Sequence, residues 1–71
     1  MKIKYFSDTD TLYIELRDSD IAESKDFDEG TLLDVDSQGN VGAITFEHAS
    51  DRMDVGQLTI EGIPTFGPIS N

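Results

Sequence analysis

Apolar and polar residues alternate along most of this chain, and the alternation is clearest between Gly30 and His48. Because successive side chains of a β-strand point to opposite faces, a period of two predicts strands on both sides of Ser37–Asn40. That connection contains Gly and Asn, which tolerate the positive φ angles of tight turns. We therefore predict a β-hairpin that turns at Ser37–Asn40, with Gly39 as its left-handed residue.

The same alternation predicts three strands ahead of this hairpin, at Lys2–Phe6, Thr11–Arg17 and Ile21–Phe27. The third of them is the most polar, which favours a position at a sheet edge. Short connections favour antiparallel pairing of sequential neighbours. We therefore predict a mainly β (α+β) domain, built on a small twisted antiparallel β-meander of five to six strands. Its core face is expected to carry Leu12, Ile14, Leu16, Leu33, Val35, Ile44 and Phe46.

The chain after the fifth strand combines a helical turn, an alternating segment and an apolar tail. Ala49–Asp54 predicts one short helical turn, with Ser50 as its N-cap. Gln57–Glu61 alternates again, so we interpret it as a short sixth strand. The tail after Glu61 holds two prolines and two glycines, which exclude regular structure throughout. We expect its large apolar residues to lie against this chain or a neighbouring one: Ile63, Phe66 and Ile69.

Length and composition fit one small domain over residues 1–71, with a core at 1–53 and an extra strand and irregular tail at 54–71. A chain of this size buries only about 60% of its unfolded surface, so we expect marginal stability. Cysteine is absent, which excludes disulfides and thiolate metal sites. We therefore predict that a homodimer, made by sheet packing and the tail, reinforces the fold.

Charge and hydropathy narrow the classes of partner. The formal net charge is −10, from 15 acidic and 5 basic residues, and such a surface repels phosphate backbones. We therefore expect no direct nucleic-acid binding. No apolar run approaches the roughly 20 residues of a membrane span, and the first residues lack the apolar core of a signal peptide. We expect a cytoplasmic protein with no membrane partner.

Candidate chemistry is sparse. Asp34–Gln38 imitates the start of a calcium loop, but Gln38 stands at its fifth position and Thr45 at its twelfth, where a bidentate Glu is required. No serine lies on a strained elbow beside a base, and no glycine loop is suited to phosphate. We predict no catalytic residue, no metal and no cofactor.

The single histidine is the one remaining candidate for chemistry. Glu47, His48 and Asp51 are candidate ligand residues, and a site formed between subunits around them defines one hypothesis, a small enzyme or ligand-binding domain. On a strand, however, Glu47 and His48 point to opposite faces. The leading hypothesis is therefore a non-catalytic, acidic protein-interaction module that docks a basic protein partner.

A family resemblance adds to this interpretation. The motifs, in chain order, are Met1–Tyr5, Asp10–Leu16, Asp34–Asn40 and Ala49–Ser50. With this spacing, residues 1–53 resemble a family of small, mostly prokaryotic proteins known as domain-of-unknown-function family number 2283. The family usually has Glu at the position of Thr45. The resemblance implies a small β-rich domain with no assigned activity. Similar proteins are associated with the neutralising member of a small toxin pair, which implies an antitoxin role towards a small basic partner.

Overall fold

The computed structural model describes residues 1–62, which form one antiparallel sheet followed by a short helix. The elements are β1 (Lys2–Phe6), β2 (Thr11–Glu15), β3 (Glu23–Asp28), β4 (Thr31–Val35), β5 (Val41–Phe46) and α1 (Ala49–Arg52). The predicted mainly β class, the five antiparallel strands and the short helical turn after the fifth strand are confirmed. No helix within the described residues is long and apolar enough to cross a membrane.

The order of the strands differs from a purely sequential meander. The sheet runs β1-β2-β5-β4-β3, so β5, and not β3, lies beside β2. In this order Ile44 of β5 pairs with Ile14 of β2 on one side and with Leu33 of β4 on the other, so the central strand has apolar partners on both sides. The polar β3 is exposed along its whole length and occupies an edge, as its sequence favoured.

The connection from β2 to β3 crosses the ends of the two strands that separate them. The backbone amides of Leu16 and Arg17 donate to the carbonyl of Gly42 at 2.7 and 3.3 Å, and the amide of Ala22 donates to Val35 at 2.8 Å. A Cβ atom at Gly42 would lie 3.0 Å from Ile21 Cδ1, so a larger residue there would require the Ile21 side chain to shift by a few tenths of an ångström.

The strand register divides the sheet into two faces of different character. One face, here called the apolar face, carries Ile3, Tyr5, Leu12, Ile14, Thr31, Leu33, Val35, Ile44 and Phe46, together with Glu23 and Lys25 of the edge strand β3. The other, here called the mixed face, carries Lys2, Lys4, Tyr13, Glu15, Ser24, Asp26, Leu32, Asp34, Ala43 and Thr45. Six of the seven predicted core residues thus share a face, because the alternation of each strand is preserved in the register.

Burial within that face is shallower than predicted. Val35 is 5% exposed, whereas the other core candidates on the strands are half-buried. Leu16 lies beyond the end of β2 and is 37% exposed, so its assignment to the core is wrong. The cause is geometric, since one short helix and a short connecting segment cannot cover a whole sheet of this width.

The chain after β5 returns over the apolar face. Met53, Val55 and Leu58 line a cleft together with residues of β1 and β2, and Arg52 lies at the neighbouring end of the face. The Arg52 guanidinium lies 5.3 Å from the centroid of the Phe46 ring and donates to the Gly30 carbonyl at 2.8 Å. This arrangement attaches α1 to the sheet by both stacking and hydrogen bonding.

Two further predictions fall on turns and on the last described segment. Gly39 has a φ of 86°, which confirms it as the left-handed residue of the β4–β5 hairpin. Residues 57–61 are described but belong to no strand, so the predicted sixth strand is absent from the sheet formed by residues 1–62. The alternation there is real, but the segment pairs with no strand. The predicted contacts of Ile63, Phe66 and Ile69 lie outside the described residues.

Candidate functional site

Two residues with an uncommon backbone conformation meet where the β1–β2 turn approaches α1. Asp10 has a φ of 55° and His48 a φ of 54°, the two positive values recorded for residues other than glycine in residues 1–62. The amide of Ala49 donates to the Asp10 carbonyl at 2.9 Å, which brings the two segments together. Aspartate and histidine tolerate the left-handed region better than most residues, and such conformations concentrate at functional sites.

The Asp10 carboxylate is the centre of this region. It accepts hydrogen bonds from the Tyr5 hydroxyl at 2.6 Å, from the Ser50 hydroxyl at 2.7 Å and from the Ser50 amide at 3.1 Å. Ala49, whose amide donates to the Asp10 carbonyl, is fully buried. We call Tyr5, Asp10, Ala49 and Ser50 the Asp10 cluster. It joins the first hairpin to the start of α1 across 40 residues of sequence.

The cluster corrects the prediction that Ser50 caps the helix. The N-cap residue is His48, which makes no capping hydrogen bond with its side chain, and Ser50 is the second residue of α1. The first amides of a helix have no acceptor within the helix. The His48 carbonyl accepts the Asp51 amide at 3.1 Å, but its side chain caps no amide, and the Asp10 carboxylate accepts the Ser50 amide from a different part of the chain.

The electrostatics follow from these bonds. Donation by Tyr5, then by Ser50, lowers the pKa of Asp10, and the nearby His48 contributes in the same direction. The same hydrogen bond to Asp10 raises the pKa of Tyr5, because the phenol can no longer donate to the carboxylate once it has lost its proton. At neutral pH the pair is therefore a carboxylate and a neutral phenol. Both carboxylate oxygens are engaged by protein donors, which suits attachment of the helix better than proton transfer.

Tyr5 also belongs to a second feature, an apolar cleft of about 460 Å³ between the sheet and the segment after α1. The sheet side is formed by β1 and β2, and the other side by residues 53–58, with Asp54 and Gln57 as its polar members. The lining is Ile3, Tyr5, Leu12, Ile14, Met53, Asp54, Val55, Gln57 and Leu58. Such a lining can accept apolar side chains but offers few groups for catalysis.

The candidate ligand residues predicted from the sequence do not come together in the Asp10 cluster or in the apolar cleft. Glu47, His48 and Asp51 are all exposed around the junction of β5 and α1. Residues 1–62 contain no group of three or more His, Cys, Asp or Glu side chains placed to hold a metal ion. A ligand site around Glu47, His48 and Asp51 stays a prediction.

The calcium-like motif has a structural use within its own turn. Asp36 Oδ1 accepts the amides of Gln38 and Asn40, both at 2.9 Å. The bond from Asn40 is the main cause of the lowered pKa of Asp36, although partial desolvation opposes it. An aspartate that bonds the backbone of its own turn stabilises that turn, and here it fixes the β4–β5 hairpin.

Asp10 is the residue that sequence reasoning missed. Its position among Ser7, Asp8 and Thr9 indicated an ordinary turn, and nothing local points to a partner in another element. One signal was nevertheless present, because both Asp10 and Ala49–Ser50 belong to the motifs that carry the family resemblance. The contact between Asp10 and Ser50 gives these two motifs a common structural purpose.

The mixed face holds a second set of polar contacts. The Tyr13 hydroxyl donates to Glu15 Oε1 at 3.3 Å, and the Ser24 hydroxyl donates to Asp34 Oδ1 at 2.6 Å. Desolvation first, and then the charge of Glu15, raises the pKa of Tyr13, and Asp34 adds to the effect. Tyr13 therefore lies in a field of negative charge at the middle of this face.

Comparisons with known proteins bear on the family alone. No curated protein and no solved structure matches the chain. A family model described as "Protein of unknown function (DUF2283)" matches residues 2–50, which contain the whole sheet, Asp10 and the start of α1. Because that match covers well over half of the 71 residues, the chain belongs to the DUF2283 family.

Proposed function

We propose that this protein is a non-catalytic interaction module that docks a basic protein partner on its mixed face. The observation that carries the proposal is a row of paired residues at the middle of this face, Tyr13, Thr45 and Leu32, with Asp26 at one end and Lys4 at the other. Tyrosine and leucine are half-exposed there, next to carboxylates. Tyrosine is enriched among the residues that dominate binding energy at interfaces.

The charges around this row define the kind of partner. Glu15 and Asp34 lie in the adjacent row, on either side of the buried Ala43. Together with Asp26 they place three carboxylates around the apolar and aromatic centre on its β2, β3 and β4 sides, whereas Lys2 and Lys4 of β1 lie along the remaining side. Lysine and arginine side chains suit such a surface, since the guanidinium pairs with carboxylates and stacks on aromatic rings. The net charge of −10 would accelerate the encounter at low salt.

The two faces also differ in what covers them, and this difference supports the same proposal. On the apolar face, Arg52 lies over the Phe46 ring and the following segment forms the far wall of the cleft, so the protein's own chain covers part of this face. The mixed face has its polar pairs within the face itself. A small basic protein bound there would have its cationic surface covered, which is how the module would neutralise a toxin-like partner.

The proposal is tested by capture from the native host at low salt, with charge-reversal variants as baits. Asp26→Lys reverses a charge on the mixed face, and Asp51→Lys makes the same change at an exposed site on α1. We expect wild type and Asp51→Lys to capture the same basic protein, Asp26→Lys to capture much less, and added salt to release it. Recovery of the bait alone, or equal loss with both variants, would reject docking on this face.

A further inference from the structure

The two edges of the sheet are not equivalent. β3 is interrupted by a register shift between Asp26 and Asp28 and carries three carboxylates, the third being that of Glu23. Bulges and charges of this kind prevent another strand from pairing. β1 instead pairs with β2 without a shift from Lys2 to Phe6 and contains no proline. Its outward-facing N–H and C=O groups form a regular row.

We infer that the outer edge of β1 binds an extended peptide segment in which apolar and acidic residues alternate. Every residue of β1 is exposed, and no described strand pairs with its outer side. An added strand would continue the sheet through main-chain hydrogen bonds, as in β-strand addition. This inference concerns a different surface and a partner of different chemistry from the proposed docking of a basic protein.

The two sides of β1 set the alternation in the partner. On the apolar face, Ile3 and Tyr5 are both 41% exposed and line the cleft that runs beneath this edge. Apolar side chains of an added strand would lie beside them and extend the cleft's lining. Because side chains of neighbouring strands at the same level share a face, every second residue of the partner should be apolar.

The mixed face supplies the second requirement. Lys2 and Lys4 are exposed on that side of β1, and neither forms an ion pair within the described residues. Lysines on an edge ordinarily discourage indiscriminate pairing. Carboxylates at the facing positions of a partner strand would pair with these lysines and offset the cost of placing another strand beside their charges. The two lysines therefore select acidic strands over neutral or basic ones. Glu15 faces Lys2 from β2, which leaves Lys4 as the stronger determinant.

The test uses the full chain and synthetic capped peptides of about seven residues that alternate valine with glutamate. We expect saturable binding, with protection of the β1 amides against hydrogen exchange. A matched peptide with lysine in place of glutamate should bind at least about tenfold more weakly, since two charge pairs become two repulsions. The double variant Lys2→Glu/Lys4→Glu should reverse that preference between the peptides.

Backbone methylation separates strand addition from simple charge attraction. N-methyl groups on alternate residues of the peptide block either the N–H groups that face β1 or those that face away from it. One methylated series should lose binding and the other should keep it. Equal effects of both series, or no binding of the valine–glutamate peptide at millimolar concentration, would overturn the inference. Concentration-dependent protection of β1 without peptide would also overturn it, because a second copy would then occupy the edge.

Discussion

Leu32 and Leu33 are neighbours in β4, yet they belong to the two different faces of the sheet. Leu33 lies in the row of Ile44 and Ile14, on the face over which α1 and the following residues return. Leu32 lies in the row of Thr45 and Tyr13, among carboxylates. One strand thus places a leucine on each face: Leu33 contributes to stability, and Leu32 forms part of a charged surface.

The comparison teaches how a small single sheet divides its residues. Within residues 1–62, the buried apolar residues are Val35, Ala43 and Ala49, and Val35 is the one among them on the apolar face, so each apolar contact on that face matters to stability. The mixed face carries two hydrogen bonds between side chains that water can reach, and each contributes little to stability. We therefore expect substitutions on the apolar face to change the free energy of unfolding, and substitutions on the mixed face to change the binding of a partner.

The largest expected effect comes from truncating the apolar face. Val35→Ala removes two carbons from a residue that is 5% exposed and should lower the free energy of unfolding by about 2 kcal/mol. Leu32→Ala removes three carbons from the mixed face and should cost about 1 kcal/mol or less, because the site is open to water. Urea denaturation measures both. A larger cost for Leu32→Ala would break the distinction between the faces.

The next effect concerns the closure of the apolar face by Arg52. Arg52→Lys keeps the charge but loses the forked donors to the Gly30 carbonyl and Thr31 Oγ1, and Thr31 is only 4% exposed. We expect a loss of about 1–1.5 kcal/mol in the free energy of unfolding. Asp28→Asn is the control, since the Arg52–Asp28 pair is half-exposed at 3.7 Å and should contribute at most about 0.5 kcal/mol. Equal losses would show that charge, and not the hydrogen-bond geometry, attaches α1.

A smaller effect, distinguished by its pH dependence, is expected at the Asp10 cluster. The folded pKa of Asp10 lies below its unfolded value, so its contribution is present above about pH 4 and is lost as the pH falls through the folded pKa. Asp10→Asn should therefore be less stable than wild type at pH 7, and the difference should shrink below pH 4. Thermal unfolding of both chains across this range measures it.

Tyr5→Phe sharpens the interpretation of that pH dependence. It removes the hydroxyl that is the largest cause of the lowered pKa of Asp10, while the bonds from Ser50 remain. We expect the acid transition of the Tyr5→Phe protein to lie at higher pH than that of wild type. A stability difference between wild type and Asp10→Asn that stays constant from pH 7 to pH 2 would contradict the role given to the Asp10 carboxylate.

The smallest expected effect is that of calcium. Asp36 already bonds two amides of its own turn, so calcium at Asp34–Gln38 would have to displace them. Millimolar calcium should shift the melting temperature no more than sodium at matched ionic strength, because screening alone relieves repulsion among the 15 acidic residues. A saturable micromolar calcium isotherm would refute this.

Much of the local structure was predictable, and the candidate site only partly so. The alternation around Ile14 and Ile44 identifies strands because side-chain direction depends on adjacent residues alone. The Asp10 cluster was not predictable in this way, since an aspartate in a turn has local partners available and its observed partner lies 40 residues later. The homodimer, which rests on how much apolar surface a small sheet leaves uncovered, stays a prediction.

The sequence by itself determined the strands, the Gly39 turn, the short helix and the separation of apolar from charged side chains along β1, β2 and β4. These follow from local sterics and from the period of the pattern. Only the tertiary structure decided that β5 lies between β2 and β4, that Arg52 stacks on Phe46 and that Asp10 holds Ser50. Which arrangement forms depends on the free energy of the whole fold. Residues far apart in the chain contribute to that free energy only once they are packed together.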